Sequence, residues 1–142
     1  MRGGINHLAV IVAAIAYFVW QGIWYTVLGN QWLALVDWTS GPNAHAAMNT
    51  TATPYIVGFI MALILAYVAA IALADSSQPT VAHGVQFALF MGIGIFATIL
   101  LTEYVFERRP LALWLMNAAI PVTGFAIVGA IIGGWRSRVR AT

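Results

Sequence analysis

The stretch VAHGVQFALFMGIGIFATILLTEYV (residues 81–105), FERRP (106–110), LALWLMNAAIPVTGFAIVGAIIGG (111–134) and Trp135 decides the fold. It contains two apolar runs, each of about the length a helix needs to cross the roughly 30 Å hydrocarbon core of a bilayer. They are joined by a link too short for anything but a tight reversal. A reversal of that kind makes the two helices antiparallel neighbours. Two features do not suit a lipid-facing surface. Glu103 still lies inside the first run, and the second carries Asn117 and then Pro121. Polar and helix-distorting residues at membrane depth mark the places where helices meet or a site forms.

Working outward, two more runs of this kind precede the pair, so four spans are expected at about residues 5–28, 53–74, 81–105 and 111–134. Of the 142 residues, 62% are hydrophobic and 7% are charged. Soluble domains are near a quarter charged, so the expected class is all-α, an integral membrane four-helix bundle forming a single membrane domain over residues 1–142. The first run is too long for the core of a signal peptide and is expected to stay in the chain.

Composition also excludes chemistry. The chain has no cysteine, which removes disulfides, thiolate metal ligands and a thiol nucleophile. It has no lysine, which removes Schiff-base chemistry. Its serines (Ser40, Ser76, Ser77, Ser137) fall in links or the tail, without the Gly-x-Ser-x-Gly elbow. No enzymatic activity and no cofactor are expected. Arg136, Arg138 and Arg140 form a juxtamembrane anchor and not a nucleic-acid footprint. Counting arginines at the two faces puts Arg2, the link at 75–80 and the tail on one side, and Arg108 and Arg109 on the other. Both termini are therefore expected in the cytoplasm.

The first span changes character along its length. Ala9, Ala13 and Ala16 give way to Tyr17, Trp20, Gln21, Trp24 and Tyr25, of which Tyr17, Gln21, Trp24 and Tyr25 share one face at helical spacing. Residues 29–52 are expected to be the longest connection. Within it Trp32, Leu35, Val36 and Trp38 form a short segment lying in the interface, ended by Gly41-Pro42. Asn49-Thr50-Thr51 fits a glycosylation sequon but has no supporting secretory feature. In the second span Ala62, Ala66, Ala70 and Ala74 form a ridge for close helix packing. Gly84, Ala88 and Gly92 do the same in the third, and Ala126, Gly129, Ala130 and Gly133 in the fourth. Pro121 removes the hydrogen bond to the carbonyl of Asn117 and is expected to kink the last helix.

Alternating direction places Gln21, Trp24, Tyr25, Glu103, Trp114 and Asn117 in one half of the bundle, the outer half under the topology above. Two readings stand for this cluster. It is an interfacial salt link from Glu103 to Arg108 or Arg109 with belt aromatics, or an aromatic-walled cavity with Gln21, Glu103 and Asn117 as its polar points. Glu103 and Glu107 are one turn apart, which suits acid/base work, but the adjacent arginines favour charge compensation. At the other end His7 and His83 share a depth. Two histidines there are either headgroup-level side chains or ligands to a haem or metal, and no third ligand accompanies them.

The segments Trp24-Tyr25 with Gly29-x-x-Trp32, Phe106-Glu107-x-Arg109-Pro110-x-x-x-Trp114-x-x-Asn117, and Gly133-Gly134-Trp135 resemble the family called domain of unknown function 1761. The resemblance covers essentially the whole chain, and the link pattern is its most specific part. It implies a small four-span bacterial membrane protein with no established activity, hence no catalytic residues to carry over and a place in the bacterial cytoplasmic membrane. It also implies an amide-bearing residue near the end of the third span, where this chain has Thr102 and Glu103. The partners expected are membrane lipids and, through the small-residue ridges, a second copy or another membrane protein. The competing expectation is a carrier or channel component for a small solute.

Overall fold

The computed structural model describes residues 4–43, 46, 51–76 and 80–140, with the side chains of residues 39 and 136–140 outside that description. Five helical segments make four spans. They are α1 (His7–Ser40), α2 (Thr53–Ala72), α3 (Val81–Met91) continuing through a π-helical turn (Gly92–Ala97) into α4 (Thr98–Phe106), and α5 (Leu111–Arg140). All four spans are long and apolar enough to cross a membrane. His45, Asn49 and Thr50, with which the sequon begins, and the arginine side chains of the tail lie outside the described residues.

Local chemistry sets the ends. The Asn6 side chain accepts from the Ala9 amide and the Thr80 side chain from the His83 amide, so α1 and α3 each begin on a polar cap. Pro54 occupies the first turn of α2, where its missing N–H costs nothing. Gly41, at φ 103°, stops α1. After α4 the Arg108 amide bonds to the Val105 carbonyl (3.2 Å) and the Arg109 amide to the Tyr104 carbonyl (2.9 Å), which is a Schellman turn. The residue in its left-handed position is Arg108, at φ 55°, where glycine is usual. A non-glycine residue there costs about 1–2 kcal/mol.

One expectation is corrected. Residues 29–40 are not a separate interfacial segment. They continue α1 without a break, giving a helix of 34 residues and about 51 Å. The reason is local. Gly29-Asn30 alone does not end a helix, Leu33-Ala34-Leu35 are strong helix formers, and Trp32 is held on the bundle by the contacts described below. α5 is likewise one continuous helix through Pro121.

The spans do not form a closed square. α5 is the central helix: 44% of its most apolar stretch is buried, against 22% to 28% for the others. It packs on α3 along one side and on α1 along the other, and α2 fills the angle between α1 and α5. Within the bilayer, close van der Waals packing replaces the hydrophobic effect as the force between helices, so small residues line these contacts. Ala62, Ala66, Ala69 and Ala70 of α2 pack against Val10, Ala13, Ala14 and Tyr17 of α1. On the α3 side the approach is closer still. A Cβ added at Gly84 would collide with the Gly129 carbonyl, one at Gly129 with the Gly84 carbonyl, and one at Gly133 with the Thr80 carbonyl.

Candidate functional site

The site grows from Asn117, on α5 one turn before Pro121. Its carboxamide is clamped from both sides. The Trp32 indole N–H of α1 donates to Asn117 Oδ1 at 2.8 Å, and Asn117 Nδ2 donates to the Tyr104 hydroxyl of α4 at 2.6 Å. The chain of contacts continues in both directions. Tyr25 meets Trp32 edge-on with ring centroids 5.5 Å apart. Arg109 lies over the Tyr104 ring at 5.3 Å and forms an ion pair with Glu107. Residues from α1, α4, the reversing turn and α5 are thus joined into one network at one end of the molecule. Each hydrogen bond here replaces one that hydrocarbon does not offer.

One turn before Asn117, Trp114 donates its indole N–H to the Ala97 carbonyl at 3.0 Å. That carbonyl ends the π-helical turn. A π turn shifts the regular ladder by one residue, and such turns are common at functional positions. Here Thr98 donates to the Gly94 and Ile95 carbonyls at 2.8 and 2.9 Å, and Trp114 serves the third. Among the described residues no buried side-chain polar atom lacks a partner.

The six residues singled out from the sequence separate into four sets. Asn117 and Trp114 are in or beside the network, each tied to the third span. Gln21 and Tyr25 line a groove of about 600 Å³ between α1 and the start of α2, together with Phe18, Trp32 and Tyr55. Gln21 Nε2 donates to the Tyr17 hydroxyl at 3.3 Å, so it bonds within its own helix. Trp24 stacks edge-on with Trp20, centroids 6.1 Å apart, and Trp20 in turn donates to Thr123 of α5 at 2.9 Å. Glu103 is exposed on α4, and neither it nor Asn117 lines the groove. The expected salt link from Glu103 is corrected: the Arg109 ion pair goes to Glu107, because the Schellman turn brings Arg109 back beneath Tyr104.

Trp32 and Tyr104 are the members that sequence reasoning missed. Tyr25 and Trp32 are seven residues apart, two helical turns, and share a face once α1 is continuous. That periodicity was the available signal for Trp32. At the other end, His7 Nδ1 and the Tyr67 hydroxyl share a hydrogen bond of 2.9 Å across α1 and α2. His83 is on α3, which scarcely touches α1 because α5 lies between them. Among the described residues no group of three His, Asp or Glu side chains is placed to hold a metal.

Four apolar spans, packed through small residues and cross-linked by polar side chains at one end, define a multi-pass integral membrane protein of the helical-bundle class. Residues 8–133 match the family model described as a protein of unknown function (DUF1761), and the chain belongs to that family. No curated protein and no solved structure matches it.

Proposed function

We propose that the protein is a non-enzymatic, partner-binding helical bundle of a bacterial cytoplasmic membrane, with both termini in the cytoplasm and with a second copy or another membrane protein as its partner. The observation that carries this reading is how the polar side chains are used. Asn117, Trp32, Tyr104 and Trp114 spend their hydrogen bonds on one another and on the π turn. Groups held this way rigidify a bundle, and their own hydrogen-bonding atoms are taken up by one another. The third span, meanwhile, packs mainly on α5 among the described residues, with Gly94, Thr98 and Thr102 exposed along its outer side. Small and hydroxyl-bearing residues suit a second helix better than they suit lipid.

The chain has no native cysteine, so a single one reports cleanly. Gly94→Cys places the thiol where an added Cβ meets nothing within 4 Å. Oxidation in native membranes is expected to trap a cross-linked species at Gly94→Cys and not at Ile64→Cys on α2. Equal yields at both positions, or a monomer throughout, would end the partner-binding reading.

The groove between α1 and α2 supports a second reading, a carrier or channel component for a small solute. It is half-enclosed, walled by Phe18, Tyr25, Trp32 and Tyr55, and has the Gln21 amide on its wall. Reconstituted vesicles separate the two: solute flux lost in Gln21→Leu supports the carrier, and absence of flux in the parent removes it.

A further inference from the structure

A second cleft lies where the end of α1 meets the α4–α5 turn. It has a volume of about 480 Å³ and is lined by Trp38, Ser40, Glu107, Arg108 and Arg109. Its charge does not cancel. Arg109 and Glu107 neutralise each other, while Arg108 has no ion-pair partner among the described residues. Nor is Arg108 there for the backbone. It occupies the left-handed position of the Schellman turn, which glycine would fill without strain. A cation placed at a position that disfavours it, and left unpaired, calls for a ligand.

Depth says what the ligand is. α1 runs about 51 Å, well beyond the roughly 30 Å of a hydrocarbon core, so its last turns stand at headgroup level. The aromatic side chains beside the cleft agree: Trp38 and Phe106 are the last residues of the first and third spans, where aromatic side chains meet the membrane–water boundary. The groups that meet an arginine at that level are phosphates. We propose that this cleft binds a phosphate monoanion, carried by a lipid headgroup or free in solution. The Arg108 guanidinium offers its paired N–H donors to two phosphate oxygens, with the Ser40 hydroxyl and the Trp38 indole N–H as further donors in the lining. Among the lining residues Glu107 is the unfavourable group, and its charge is already taken up by Arg109. This site stands apart from the partner-binding face and does not depend on it.

The test uses purified full-length protein in a non-ionic detergent, with the thermal unfolding midpoint followed against added ligand. Dioctanoyl phosphatidylglycerol, dioctanoylglycerol and inorganic phosphate are the three probes. A saturable rise with the first and none with the second is expected. Inorganic phosphate separates the sources: a matching rise at the same concentration assigns the site to free phosphate, and no rise assigns it to the headgroup. Arg108→Gly relieves the backbone and removes the charge, and Arg108→Gln keeps the length and removes the charge. Both are expected to weaken binding by roughly tenfold or more. Unchanged affinity in the two variants, an equal response to the uncharged lipid, or no response to either phosphate probe would overturn the proposal.

Discussion

The two ends of α5 are joined to their neighbours by opposite means. Toward α3 the contact is made by what is missing. Gly84, Gly129 and Gly133 let backbones touch. Toward α1 and α4 the contact is made by what is added, a carboxamide held by an indole and a phenol. Both solve one problem: in lipid, apolar burial gives helices little reason to associate. The glycine seam uses shape, which is lost completely by a small change. The Asn117 clamp uses polarity, whose loss is partly made good elsewhere. The two seams are therefore expected to differ in how they fail.

The largest effect should come from the seam of shape. Gly84→Val or Gly129→Val drives a side chain into the facing carbonyl, and neither backbone can yield without parting the helices. A loss of more than about 3 kcal/mol is expected, read as loss of folded protein in detergent extracts. Gly94→Ala is the control, because the added Cβ has open space and alanine favours the helix by up to about 1 kcal/mol. If the valine variants fold with an unchanged melting temperature, α3 and α5 do not approach through Gly84 and Gly129.

The clamp should fail more gently. Asn117→Ala leaves the Trp32 donor and the Tyr104 hydroxyl to find other partners, and a cost of about 1–2 kcal/mol is expected. A double-mutant cycle with Trp32→Phe isolates the pair, with a coupling of about 0.6–1.7 kcal/mol. Zero coupling would mean that α1 does not reach α5 through Trp32 and that residues 29–40 leave the bundle after all. Trp114→Phe removes only the bond to the Ala97 carbonyl and keeps the ring, so about 1 kcal/mol is expected. A cost equal to that of Asn117→Ala would make the π turn a member of the clamp and not a neighbour of it.

The two seams were unequally legible. The small-residue ridges at Gly84-Ala88-Gly92 and Gly129-Gly133 stand out at helical spacing, and they are where the helices meet. Four spans and their order followed from hydrophobic length alone. The clamp was half legible. Asn117 is conspicuous in an apolar run, but its partners come from 85 residues earlier and 13 residues earlier in the chain. Trp32 was masked by the habit of tryptophans to sit at interfaces, which made a continuous helix look like an interfacial one. Tyr104 is an ordinary residue in a span until the inward side of α4 is known. The π turn left no trace, because Gly92 and Gly94 read as packing residues either way.

Glu103 is where the smallest effect is expected. Sequence alone made it the most conspicuous residue of the third span, a carboxylate within an apolar run. Yet it is exposed on α4, and the nearby ion pair joins Arg109 to Glu107. Glu103→Gln keeps the shape and removes the charge, so the stability of the isolated protein should change by less than about 0.5 kcal/mol, the range of an unpartnered surface position. The cross-linking yield of Gly94→Cys gives the same substitution a second readout. Unchanged yield means that the carboxylate is solvated at the membrane face and serves neither seam. A yield that falls while monomer stability holds means that a partner covers this face of α4 and pairs with the carboxylate. The third span would then carry a polar clamp on its outer side, as α5 does between its neighbours.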